Sequence, residues 1–171
     1  MITETYENFP WRMVATANAV GLGIYAFGLF LMLRAGAVWG ALYAVYCAWM
    51  EWRLLSRSCR TCYYYGKRCG FGRGVVCSWF FSKSMERTLR EKPISWLDIV
   101  PDFLVPLIPL AAGVVMLIRS FSWPVLFSVL LLLVLGSIGT GMVRARIACR
   151  YCKQRALGCP AEQLFSRSTG A

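Results

Sequence analysis

Four stretches of this chain carry no charged side chain. They are residues 13–33 (MVATANAVGLGIYAFGLFLML), 35–50 (AGAVWGALYAVYCAWM), 103–118 (FLVPLIPLAAGVVMLI) and 121–143 (FSWPVLFSVLLLLVLGSIGTGMV). A helix needs roughly 20 apolar residues to cross the hydrocarbon core of a bilayer. The first and fourth stretches reach that length alone. The second extends through Glu51 towards Leu55, and the third extends back towards Trp96. The pattern therefore predicts an all-α integral membrane protein with four transmembrane helices, arranged as two hairpins. The short turns between helices hold only Arg34 and Arg119.

Composition agrees with this pattern. Of 171 residues, 58% are hydrophobic, against about 45–50% in a soluble domain, and the mean hydropathy is +0.53. The leading segment MITETYENFPWR carries two acids and one base, unlike the basic start of a secretory signal, so residues 13–33 read as a retained span. Gly21, Gly23 and Gly28, with Gly136, Gly139 and Gly141, favour close helix packing. Pro101, Pro106 and Pro109 predict a bent or irregular third helix. Trp11, Trp39, Trp52, Trp96 and Trp123 fall near predicted helix ends, as an aromatic belt requires.

Charge then orients the chain. Nineteen Lys and Arg face eight Asp and Glu, a net charge of +11. Ten of the bases lie in 53–92 and six in 144–167. The positive-inside rule places the long loop and both termini in the cytoplasm, in a cell inner membrane. The same charge predicts attraction to anionic lipid headgroups, and the reading excludes nucleic acid as a partner.

The polar segments repeat one motif. Cys59–Cys69 reads CRTCYYYGKRC and Cys149–Cys159 reads CRYCKQRALGC, both Cys-x2-Cys-x6-Cys. The chain divides into a first hairpin (1–55), a cytoplasmic cysteine, glycine and basic loop (56–97), a second hairpin (98–146) and a cysteine-containing tail (147–171). Like hairpins inserted the same way are related by an axis along the membrane normal, which brings the two motifs together. Cytoplasmic thiols stay reduced, so disulfides are not expected. The chain has no histidine, so a metal site here is all-thiolate, and two Cys-x2-Cys chelates suit tetrahedral zinc. The expected ligands are Cys59, Cys62, Cys69, Cys149, Cys152 and Cys159. An iron–sulfur cluster on Cys59, Cys62, Cys149 and Cys152 is the alternative cofactor, and dithiol redox chemistry the alternative activity. Cys47 reads as helix packing, and Cys77 has no counterpart in the second half.

The ligand spacing resembles that of the fungal zinc-cluster domain, where six thiolates hold two zinc ions. The resemblance is confined to these six cysteines and implies coordination, not DNA binding, because two membrane spans separate the halves. The whole-chain pattern is similar to small uncharacterised four-span prokaryotic membrane proteins with paired cysteine motifs.

Two further groups carry candidate chemistry. In GKRCGFGRG (66–74), Lys67, Arg68, Gly70, Gly72, Arg73 and Gly74 offer a backbone nest for a phosphate or lipid headgroup, or a plain set of turns beside a metal knuckle. Glu51, Asp98 and Asp102 stand at predicted helix ends, where intramembrane acids serve as sites or pair with Arg53, Arg57 and Arg144. Residues 78–97 mix aromatics with bases, as an interfacial amphipathic helix would. No catalytic constellation is recognisable. The sequence thus predicts a non-enzymatic membrane platform or accessory subunit that docks a protein partner or anionic lipid. A lipid-modifying enzyme or transporter using the three acids is the competing expectation.

Overall fold

A computed structural model describes residues 5–84, 96–157 and 159 of the chain. Five helices dominate: α1 (Trp11–Ala35), α2 (Ala37–Arg57), α3 (Arg73–Phe80), α4 (Trp96–Arg119) and α5 (Trp123–Val134). A 3-10 turn at Cys59–Thr61 follows α2, and a single helical turn, Lys153–Ala156, lies near the C-terminus. Among the described residues no strand forms. Most of the segment expected to be an interfacial helix, 85–95, lies outside the described residues.

Three helices are long and apolar enough to cross a membrane: Trp11–Ala35, Leu97–Arg119 and Trp123–Ala148. The fourth predicted span, α2, has the length, at 21 residues. It is rich in Tyr, Trp, Gly and Ala, and Glu51, Arg53 and Arg57 lie in its last turns. Hydropathy alone therefore does not single it out.

The chain gathers into two compact units. One holds Met1–Asn18, Trp52–Asp98 and Val143–Ala171, and the other Ala19–Glu51 and Ile99–Met142. The second unit has an apolar core of Ile24, Leu31, Met50, Val105, Val125, Val129 and Leu132. Helix α2 returns along α1, with Leu33 against Gly40 and Tyr43 against Gly28. Gly28 is required there, because a Cβ would collide with the Tyr43 ring.

The prolines of α4 sit inside a continuous helix rather than starting it irregularly. Pro109 has no N–H, so the Val105 carbonyl one turn back loses its helical partner. The buried Tyr43 hydroxyl donates to that carbonyl at 3.0 Å. Tyr46 donates to the Pro101 carbonyl at 2.8 Å, and Tyr25 to Glu51 Oε1 at 2.6 Å. Each phenol of this unit that points inward thus has an acceptor, as a low-dielectric setting demands.

Beyond α5 the helix widens. A π-helical stretch, Leu135–Gly139, leads to one α turn, Thr140–Met142, and a second π stretch, Val143–Ala148. Ser137 donates to the Leu133 carbonyl and Thr140 to that of Gly136, a back-bonding that competes with the helical ladder. The second stretch ends with the Cys149 N–H on the Arg144 carbonyl at 2.9 Å, five residues back. That wide turn sets the register of the second cysteine motif.

Candidate metal centre

Both cysteine motifs fall in the first unit. Their Cys-x2-Cys turns have the same backbone hydrogen bonding. In the first motif the Cys62 N–H donates to the Cys59 carbonyl at 3.4 Å, and Tyr65 to Cys62 at 3.1 Å. In the second, Cys152 donates to Cys149 at 3.4 Å, and Arg155 to Cys152 at 3.1 Å. Cys62 and Cys152 are both extended, at φ −78° and −80°. The repeat in spacing is therefore a repeat in conformation.

The two turns also bind each other reciprocally. The Tyr63 N–H donates to Gln154 Oε1 at 2.9 Å, and the Lys153 N–H donates to the Tyr64 hydroxyl at 3.0 Å. Tyr63 and Lys153 each follow their second cysteine by one residue. Tyr64 and Gln154 each follow it by two. Each motif thus offers the same backbone donor and receives the same side-chain position, an approximate two-fold exchange. Tyr64 and Gln154 are 1% and 7% exposed, and both contacts are partly buried, where an unmet polar group is costly.

A segment from the N-terminus straps the pair. Tyr6 donates its N–H to the Tyr151 carbonyl at 3.1 Å, forming a parallel bridge with Cys152. Its own carbonyl accepts from the Tyr64 hydroxyl at 2.6 Å. The Phe9 N–H donates to the Arg68 carbonyl at 2.9 Å, and Arg68 N–H to Asn8 Oδ1 at 3.1 Å. Phe9 is fully buried, edge-on to the Tyr6 and Tyr64 rings; such burial contributes about 2 kcal/mol. Between these anchors Glu7 accepts from Tyr63 at 2.9 Å and Lys67 at 3.2 Å, and pairs with Lys153. One carboxylate so holds a lysine from each motif. Its pKa falls from the ordinary 4.5 to about 2, chiefly through the Lys153 contact and then Tyr63 and Lys67.

The thiols lie within one electrostatic neighbourhood. Cys59 feels the charge of Cys69, Cys77 and Cys62. Cys62 feels Cys152, Cys69 and Cys159, and Cys152 feels Cys149 and Cys159. Burial first, and mutual repulsion second, push Cys59 up to about 12. Burial likewise pushes Cys62 up to about 11 and raises Cys152. Such thiols hold their protons at neutral pH, unlike the nucleophile of a dithiol oxidoreductase. All eight cysteines are free. Among the described residues no three Cys, Asp or Glu side chains are spaced as ligands around one ion. The six predicted ligands, Cys59, Cys62, Cys69, Cys149, Cys152 and Cys159, are therefore not arranged around one ion here.

The glycine loop is built as turns. The N–H groups of Gly66, Lys67, Arg68 and Gly72 are bonded to Gly74 O, Tyr64 O, Asn8 Oδ1 and Cys69 O. Gly72, at φ +71°, opens α3. Gly70 packs against Ala148, and Gly74 against the Tyr64 and Lys67 carbonyls. Lys67 pairs with Glu7, and the Arg73 guanidinium lies 5.5 Å over Phe71. The three acids do not share a site by any contact described. Glu51 accepts from Tyr25, Asp98 pairs with Arg53 at 3.5 Å, and Asp102 stands one turn beyond Asp98 in α4.

Sequence reasoning missed Glu7, Phe9, Tyr64 and Gln154. Aligning the two motifs residue by residue would have set Tyr64 against Gln154 and marked both. No family model, curated protein or solved structure matches this chain.

Proposed function

We propose that this chain is a four-span membrane platform whose two halves are clasped by paired cysteine knuckles that take up zinc. Both termini face the cytoplasm. The observation that carries the reading is the reciprocal exchange between Tyr63–Tyr64 and Lys153–Gln154, which joins the second cysteines of two motifs ninety residues apart in sequence. Paired Cys-x2-Cys turns of like backbone are what two chelating arms need.

A fourth span is supported by the satisfaction of α2. Its 21 residues rise about 31 Å at 1.5 Å each, the thickness of the hydrocarbon core. Tyr43 and Tyr46 lower its hydropathy, yet their hydroxyls are spent on α4 carbonyls. Four spans return the N-terminal strap, the long loop and the tail to one side.

The work of such a platform is docking, of anionic lipid headgroups or a protein partner, through the bases that surround the clasp. Arg68, Arg150 and Arg155 are solvent-exposed there. Zinc in this role is structural, so its affinity becomes folding free energy. The test is metal content of protein purified anaerobically in detergent. Zinc is expected in the wild type and diminished by either Cys62→Ser or Cys152→Ser. Iron with sulfide would transfer the site to electron transfer, and a metal-free wild type would remove the clasp.

A further inference from the structure

Helix α3 is held at both ends. At its start, Gly72 packs against the Val14 side chain, and the Asn18 amide donates to the Phe71 carbonyl at 3.3 Å. At its end, Phe81 stands edge-on to Trp52 at 4.9 Å, and the Cys77 thiol donates to the Leu55 carbonyl at 3.5 Å. The first contacts are with α1 and the second with the last turns of α2. A helix of 8 residues, tied at one end to α1 and at the other to α2, lies across them rather than continuing either.

Its depth follows from α1, which is long and apolar enough to span. Val14 and Asn18 come one and two turns after its first residue, Trp11. At 1.5 Å per residue they lie about 5 and 10 Å into the helix. Interfacial helices sit about 5–10 Å into the boundary between headgroups and acyl chains, so α3 begins at that level.

The two faces of α3 differ. Gly74 and Cys77 are buried inwards, while Trp79 and Phe80 are 74% and 65% exposed. Adjacent exposed aromatics mark a surface that something covers. Trp11 and Trp52, at the helix ends beside α3, are also more than half exposed, and tryptophan concentrates at membrane–water interfaces. Charge selects the same partner. Between Glu51 and Glu86 the chain has seven bases and no acid, which suits an anionic lipid surface.

Resting on the membrane reading of α1, we propose that α3 is an interfacial helix that seats Trp79 and Phe80 among the lipids of the chain's own bilayer. Anionic headgroups then meet the bases around it. Gly74 of α3 presses on the Tyr64 and Lys67 carbonyls, so the seat fixes the first cysteine motif at a set height over the membrane.

The full-length chain is reconstituted in vesicles of phosphatidylcholine and phosphatidylglycerol, with a benzophenone amino acid at Phe80 or at Leu22, an exposed residue of α1. After irradiation, the mass of each chain is read. Lipid adducts are expected from both positions. Adducts from Leu22 alone, or a link from Phe80 to a second copy of the chain, overturn the seat and leave the span standing. No lipid adduct from either position overturns the membrane reading with it. Because the bulky label can itself disturb α3, Trp79→Phe provides a second readout. The fluorescence it removes should be quenched at least as strongly by lipids brominated near the headgroup as by lipids brominated at the chain end. Fluorescence that neither lipid quenches, or only the deeper one, contradicts the seat.

Discussion

At the scale of single residues, the clasp depends on side chains two positions beyond each second cysteine. The Tyr64 hydroxyl donates to Tyr6 and accepts from Lys153. Tyr64→Phe removes the partner of a part-buried carbonyl and a part-buried N–H, a loss of about 0.5–1.5 kcal/mol per bond, to be read as a lowered unfolding midpoint in detergent. Glu7 makes the strap sensitive to acid. Its pKa is depressed from 4.5 to about 2, so its contribution is fully present above the ordinary value and fades as pH falls towards the depressed one. Protection from hydrogen exchange at the Tyr6 and Phe9 amides, measured against the intrinsic rate at each pH, should fall over that window, and Glu7→Gln should abolish the dependence. The six cysteines were legible because their spacing is local and repeated. Tyr64 and Gln154 were not, because their contacts close 89 and 91 residues of chain and neither residue is chemically marked in the sequence.

At the scale of elements, α1, α4 and α5 were plain in the hydropathy, since long apolar runs admit few other readings. Helix α2 is harder to read because tyrosine is counted as polar wherever its hydroxyl goes. The Tyr43 hydroxyl goes to the proline-freed Val105 carbonyl and that of Tyr46 to the Pro101 carbonyl, destinations that only tertiary structure reveals. Tyr43→Phe should therefore cost about 1–3 kcal/mol, the penalty of leaving a buried carbonyl without its partner. The penalty should shrink in the Pro109→Ala background, where a restored N–H can meet the Val105 carbonyl. A double-mutant cycle on thermal unfolding measures that coupling. The π-helical stretches after α5 could not be foreseen from periodicity. The first lies where Ser137 and Thr140 bond back to the helix, and the second sets where Cys149 emerges.

For the whole molecule, the repeated spacing, read as two like hairpins, led to the expectation that two distant half-motifs would meet, and residues of the two motifs do bond one another. It did not foretell how. The motifs pair backbone to side chain in a near two-fold exchange, and an acidic strap from the N-terminus ties a lysine of each. Repeat logic reaches the first of these and not the second, because the strap belongs to neither repeat. The strap nevertheless supplies the most direct test. Carbodiimide joins a carboxylate to an amine only when the two are in contact, and Glu7 pairs with both Lys67 and Lys153. Native membranes carrying the wild-type chain are treated, the monomer band is digested, and the linked peptides are identified by mass spectrometry. Links from Glu7 to Lys153 and to Lys67 within one chain are the result expected of a clasp that joins the two halves. Links to Lys67 alone, with Lys153 unmodified, would mean that the C-terminal motif stands apart and would contradict it.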